Sequence, residues 1–222
     1  DISGPDGVPD GVIDTYDRTN IGSPLPKFTF GITNSFSYKN FDLSVFLNGS
    51  YGNKLFNYSA INLSSMKSAW DNQLQLVTNR ANLSPIDPNK NYPAEINGVT
   101  VYEWMDDITN IMVTNPNADI PRPIANDPND NDRISDRYIE DGSYLRIRNI
   151  TFGYTLPSNL VRKWNLENIR IYANIQNLHT FTNYSGYDPE IGASTTSQYV
   201  FGLDNGRYPS PQVYSFGLNL SF

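Results

Sequence analysis

Tyr214-Ser-Phe-Gly-Leu-Asn-Leu-Ser-Phe222 alternates without a break between apolar and small or polar side chains. Successive side chains of a strand point to opposite faces, so this stretch has one greasy face and one wet face. About ten residues is the length a tilted strand needs to cross a bilayer. A half-buried strand of a soluble sandwich would alternate in the same way. The other strands have to discriminate between the two.

The same period recurs four times upstream. Phe28, Phe30, Ile32, Phe36 and Tyr38 alternate with Thr29, Gly31, Thr33, Ser35 and Ser37, with Asn34 the one polar residue on the apolar side. Lys39-Asn40 reads as a two-residue hairpin turn. Phe41, Leu43, Val45, Leu47 and Tyr51 then alternate with Asp42, Ser44, Asn48 and Ser50, although Phe46 interrupts the polar row. Ile150, Phe152, Tyr154 and Leu156 form a third set; Leu145 and Ile147 lie on the opposite parity. That switch predicts a bulge near Asn149 or an exit from the apolar zone. Ile169, Ile171, Ala173 and Ile175 open a fourth set. The expected strands are about 28–38, 41–51, 143–156, 168–182 and 211–222.

Between them the strand period vanishes over 52–142 and 183–210, which are rich in Asn, Asp, Pro and Gly, with a short helix expected around Ala60 to Gln75. The 157–167 connection is short and predicts one helical turn carrying Leu160, Val161 and Trp164. Counted back from Phe222, the connections run long, short, long, short. Outer-membrane barrels sort their connections in this way, with short turns in the periplasm and long loops outside. A soluble sandwich has no reason to.

Composition sharpens this reading. Hydrophobic residues are only 38% of the 222, yet aromatics reach 13%, with 15 Tyr and 11 Phe. Few aliphatics with many aromatics suits a barrel belted by aromatic girdles. A net charge of −7 argues against a nucleic-acid partner, which calls for clustered Lys and Arg. There is no cysteine, hence no disulfide framework or thiolate chemistry. No run of about 18 apolar residues encodes a transmembrane helix, and no signal peptide is present, so a chain working outside the cytoplasm is expected to be a mature form or a fragment.

Residues 1–26 form an acidic, turn-rich segment. Asp6, Asp10, Asp14 and Asp17 fall at positions 1, 5, 9 and 12 of a calcium-loop frame, with Gly11 at position 6 and the Val12 carbonyl at position 7. Calcium takes six to eight hard oxygens, which makes it the expected cation. Val8 at position 3 has no side-chain oxygen, and Asp17 is shorter than the usual Glu. A metal-free turn cluster is the alternative.

Nothing points to an enzyme. His179 is the only histidine and reads as structural or interfacial. Asp106-Asp107 and Glu140-Asp141 are adjacent, and neighbours on a strand point apart, so neither is a ready acid/base pair. No G-x-S-x-G, H-E-x-x-H or phosphate-binding glycine loop occurs. Trp70, Tyr102, Trp104, Tyr187, Tyr199 and Tyr208 are the substrate or partner-contact candidates. For Trp70, Tyr102 and Trp104 the alternative is a small core of the long loop itself.

Ser135-Asp-Arg-Tyr-Ile-Glu-Asp-Gly-Ser-Tyr-Leu-Arg-Ile-Arg-Asn-Ile-Thr-Phe-Gly-Tyr-Thr-Leu-Pro157 resembles the C-terminal region of SusC/RagA-type TonB-dependent outer-membrane transporters. So do Asn174-Ile-Gln-Asn-Leu178, Gly186-Tyr-Asp-Pro-Glu190, Tyr208-Pro-Ser-Pro-Gln-Val-Tyr214 with the closing strand, and, at the front, Asp10-Gly-Val-Ile-Asp14, Asp17-Arg18 and Ile21-Gly-Ser-Pro-Leu-Pro26. The resemblance covers nearly the whole chain. It implies an all-β chain: the C-terminal strands of an antiparallel barrel of 22 strands, with long extracellular loops and Phe222 as the barrel's terminal signal. It also implies the rest of the barrel and its plug as partners, a SusD/RagB-type lipoprotein as lid, TonB acting through a missing N-terminal part, and outer-membrane lipid around the wall. The implied activity is import of oligosaccharides or peptides across the bacterial outer membrane. The competing expectation is a soluble, calcium-loop-bearing β-sandwich for binding or adhesion.

Overall fold

The computed structural model describes residues 1–66, 70, 72–90, 93–96, 99–102, 108–122, 130–191 and 200–222. Two compact units emerge, Asp1–Tyr58 with Ser135–Phe222, and Ser59–Ile134. The first unit holds one sheet of five long strands: β1 (Phe28–Tyr38), β2 (Phe41–Tyr51), β3 (Tyr144–Thr155), β4 (Asn168–Thr182) and β5 (Val213–Ser221). Their order in the sheet is their order in the chain, and every neighbour is antiparallel. Phe, Tyr, Ile and Thr dominate these segments and suit a pleated, half-covered surface. Lys39, at φ 53°, takes the left-handed turn that joins Tyr38 to its partner Phe41.

Register turns five local alternations into one continuous face. Tyr38, Phe41, Tyr154, Ile171 and Leu218 form one row across the sheet. Phe36, Leu43, Phe152, Ala173 and Phe216 form the next, and Val45, Ile150, Ile175 and Tyr214 continue the row that Asn34 begins. The parity change between Ile147 and Ile150 is resolved by a bulge at Arg148, where Phe46 pairs with Asn149 and Leu47 with Ile147. Strand β4 shifts at the same level, between Gln176 and His179, with Asn177 in the left-handed region. In β3 one extra residue flips the phase, so Leu145 and Ile147 rejoin the apolar face, whereas β4 passes over two residues and keeps its parity as far as Phe181. His179 stands beside Ile147 and stacks edge-on against Phe181 at 4.5 Å.

The opposite face is polar and tied by side-chain bonds. The Asn174 amide donates to Asn149 and Thr151, both at 2.7 Å. Arg170 donates through two nitrogens to the Asp42 carboxylate, at 3.0 and 2.6 Å. That pair passes over Gly153, where a Cβ would collide with both side chains. Phe46, the apolar residue in this polar row, lies against Gly31, which leaves room for its ring.

No second sheet covers the apolar face among the described residues, and Phe36, Phe216, Leu218 and Ile171 remain more than half exposed. A soluble sandwich would bury these side chains against a facing sheet. A patch this large calls for an apolar surrounding.

Connections are sorted between the two ends of the sheet. The Lys39–Asn40 turn and the 156–167 connection lie at one end, where Asn40 exchanges hydrogen bonds with Thr155. The chain leaves β2 and β4 at the other end, where a small sheet brings together Lys54–Asn57, Ile139–Asp141 and Leu203–Asp204. The second unit contains short elements: most of the helix Tyr58–Ser65, and the strand pairs Leu83–Pro85 with Ile111–Val113 and Pro93–Ile96 with Val99–Tyr102. The helix ends at Ser65, short of the 60–75 expectation, where Met66 takes the left-handed conformation at φ 53°.

Candidate functional site

The sheet end that carries the long connections is organised by buried charge. Arg146 enters from β3 on the polar face and is 2% exposed. Its Nε donates to Thr180 on β4 at 2.8 Å, and its two terminal nitrogens donate to Asp188 and to Glu190 at 2.6 Å. Arg148, the bulged residue, also donates to Glu190 at 2.7 Å. Burial pushes the Asp188 carboxyl up, but the N–H groups of Glu190 and Ser210 and the Arg146 guanidinium outweigh it. The carboxyl is therefore held below the usual range. The segment after β4 is thereby pinned to the sheet at 188 and 190, and through Ser210 to the approach to the last strand.

A second set of bonds fixes the loop to the small sheet. The Tyr184 hydroxyl donates to Asp204 at 2.6 Å, and burial, then Asp204, raises the tyrosine pKa. Asp204 also accepts the N–H groups of Gly206 and Arg207. Glu140 accepts from the Ser185 backbone and hydroxyl, both at 2.7 Å, and from Asn57. Its neighbour Asp141 turns to Ser143 instead, which depresses the Asp141 pKa. The two adjacent carboxylates thus have separate partners and form no acid/base couple.

Against this frame the candidate contact residues separate. Tyr187 and Tyr208 are 69% and 90% exposed and flank the pinned positions 188 and 210. Trp70, in the second unit, is 95% exposed. Tyr102 belongs to the Val99–Tyr102 strand of that unit. Trp104, Tyr199 and the Asp106-Asp107 pair lie outside the described residues. Phe222 ends the apolar row of β5 and is 93% exposed.

The acidic segment folds around its own backbone. Asp17 accepts the N–H groups of Ile2, Ser3 and Asp14, at 2.5, 3.1 and 2.8 Å. Those bonds, Asp14's first, lower its pKa to about 2. Asp14 caps the turn by accepting the Tyr16 N–H, and Asp10 accepts that of Val12. Gly11, at φ 86°, takes the left-handed turn that position 6 of the frame requires. Asp6 is exposed. Among the described residues no three acidic or imidazole groups gather where they could hold a metal. In this arrangement Asp10, Asp14 and Asp17, three of the four residues of the calcium expectation, each accept backbone amides.

Arg146, Asp188, Glu190 and Tyr184 were not among the candidate site residues of the sequence. The available signal was the matched spacing of two cations, 146 and 148, and two anions, 188 and 190, each two residues apart.

No family model matches the chain. TonB-dependent receptor P3 of Formosa agariphila is 36% identical over 216 residues, covering 96% of this chain and 18% of the receptor. TonB-dependent receptor SusC of Bacteroides thetaiotaomicron is 26% identical over 215 residues, covering 96% of this chain and 17% of that protein. Among solved structures, the RagAB peptide importer in its open-open state superposes with a TM-score of 0.65 at 20% identity, over 100% of this chain and 20% of that chain. The chain spans about a fifth of the length of these relatives.

Proposed function

Because the chain belongs to the SusC/RagA family of TonB-dependent outer-membrane transporters and matches its C-terminal region, we propose that it supplies five wall strands and two extracellular loops to an importer of oligosaccharides or peptides. The observation that carries this reading is the apolar face that five strands build in register, backed by a polar face with its own ion pair. Such a sheet has its apolar side toward lipid and its hydrogen-bonded side toward a lumen. Wall strands β1 and β5 are the sheet's two edges, and the remaining barrel strands would pair there. The end carrying the long connections faces the outside, where Tyr187 and Tyr208 stand on the pinned loop beside incoming cargo or a SusD/RagB-type lipoprotein.

The test is an outer-membrane fractionation of the intact protein followed by growth on defined oligosaccharides and on peptides as the sole source of the nutrient. Insertion as a heat-modifiable barrel, with growth lost on one cargo class when the gene is deleted, is the expected result. Recovery in the soluble fraction, or growth unchanged on every cargo, overturns the reading.

A further inference from the structure

Two exposed apolar side chains and two adjacent cations share the short connection between β3 and β4. Ser158–Val161 forms one helical turn, Arg162–Trp164 a second, tighter one, and Asn165 closes it in the left-handed region. Val161 is completely buried and Ile169, at the start of β4, is nearly so; the turn packs against that strand. With Val161 turned inward, Leu160 and Trp164 are left 46% and 63% exposed, and Arg162 and Lys163 are exposed beside them. The neighbouring hairpin turn adds Lys39, whose ammonium sits 5.4 Å from the Tyr38 ring. The first apolar row of the wall, Tyr38, Phe41 and Tyr154, begins at this same end.

Charge separates this end from the rest of the chain. Its two connections, 39–40 and 156–167, carry Lys39, Arg162 and Lys163 against Glu167 alone, a balance of +2 in a chain of −7. The opposite end is acidic: 183–210 carries Asp188, Glu190 and Asp204 against Arg207. We propose that Lys39, Arg162 and Lys163, with Trp164 and Leu160 as apolar anchors, form a foot that binds anionic phospholipid headgroups in the periplasm-facing leaflet. The proposal rests on the transporter reading, which places this end in the periplasm. An indole ring with an apolar body and a polar edge settles at headgroup depth. Cations beside it attract lipid phosphates, at about fivefold in affinity for each charge near an anionic surface. Trp164 and Leu160 share the short connection with Arg162 and Lys163, and a lipid surface uses the apolar anchors and the cations at once.

The test reconstitutes the intact transporter in bilayers of phosphatidylcholine mixed with phosphatidylglycerol. The lipids retained after mild detergent extraction are then weighed by mass spectrometry. Wild type should retain phosphatidylglycerol several-fold above its bulk share. Lys39→Gln with Arg162→Gln and Lys163→Gln should lose that enrichment and still insert, whereas Arg162→Lys should keep it. Lys163→Gln alone, which leaves the other cations in place, should lose part of it. Wild type that inserts without enrichment, or a triple variant that keeps it, overturns the foot and leaves the transporter reading intact. An unchanged lipid preference with weakened sedimentation on peptidoglycan sacculi assigns the cations to the cell wall and also overturns it. Wild type that stays out of the bilayer overturns both readings.

Discussion

Arg146 and Asp188 lie 42 residues apart in sequence and meet as an ion pair in which the guanidinium side chain is only 3% exposed and the carboxylate 12%. A buried cation left without its anions is costly, and so are anions left without the cation. Thr180, Glu190 and the ring of Tyr144, whose centre is 5.5 Å from the guanidinium, complete its surroundings. Arg146→Ala should therefore weaken the local anchoring of 183–190 by about 3–5 kcal/mol. Hydrogen exchange on the intact protein should show faster exchange at 184–190 and 203–210, with β1 and β2 unchanged. Unchanged exchange at 184–190 would show that the loop is held by Tyr184 and Glu140 alone.

How far the chain could be read without its structure follows from the range of each interaction. Alternation is local, so the segments 28–38 and 41–51 were legible, and the structure has strands at Phe28–Tyr38 and Phe41–Tyr51. The phase change between Ile147 and Ile150 was also visible, because a bulge leaves a parity error in the sequence. The pairing of Arg146 with Asp188 and Glu190 was not, since it depends on where a loop returns after forty residues. The acidic segment reads two ways from its sequence alone. Asp and Gly at calcium-loop spacing are also the residues that turns use to cap their own amides, as Asp17 and Asp14 do.

Acid should release the loop before it disturbs the wall. The Asp188 carboxyl is depressed in the folded protein, so its stabilisation is present in full above the unfolded value of about 4 and is lost as pH falls through the lower native one. Asp17, lowered to about 2, follows the same sign in the acidic segment. Protection at 184–190 and 1–17, taken relative to the intrinsic exchange rate at each pH, should fall as pH falls below about 4. Asp188→Asn should remove the acid sensitivity of the first segment and leave that of the second. Equal acid sensitivity of 184–190 in wild type and Asp188→Asn would remove Asp188 from the account.

Leu218 and Asn219 are adjacent, and the register sends them to opposite faces of the sheet. Leu218 shares a row with Ile171 on the apolar face, and Asn219 is opposite Arg170 on the polar one. Leu218→Arg should destabilise insertion, by less than the about 2–4 kcal/mol that arginine costs at the midplane, because its row is the first at the short-turn end. Asn219→Asp puts a carboxylate beside Arg170 and should be tolerated. Urea titration of the reconstituted protein measures both. Similar losses at the two positions would mean that the faces are assigned wrongly.

The acidic segment should depend on Asp17 and be indifferent to calcium. Three backbone amides converge on that carboxylate, and an amide side chain in its place offers one acceptor oxygen for three donors. Asp17→Asn should speed exchange throughout 1–17, and a calcium chelator should do nothing to wild type. Loosening by the chelator, reversed by added calcium, would restore the metal-loop reading of Asp6, Asp10, Asp14 and Asp17.

Tyr187 and Tyr208 offer the cleanest separation of contact from scaffold. Removing the whole loop would also remove Asp188, Glu190 and Asp204, whose bonds hold it to the wall and the small sheet, so lost uptake would have two explanations. The two tyrosines contribute little to that frame: both rings are largely exposed, and the pinning bonds come from residues 188, 190 and 210. Tyrosines at the centre of a contact often contribute about 2 kcal/mol or more each when truncated. Tyr187→Ala with Tyr208→Ala should leave insertion and loop exchange as in wild type. Capture of the lipoprotein partner, or growth on limiting cargo, should fall by tenfold or more, since about 1.4 kcal/mol already corresponds to a factor of ten. A double variant that captures its partner and grows normally would place the working surface of this chain elsewhere.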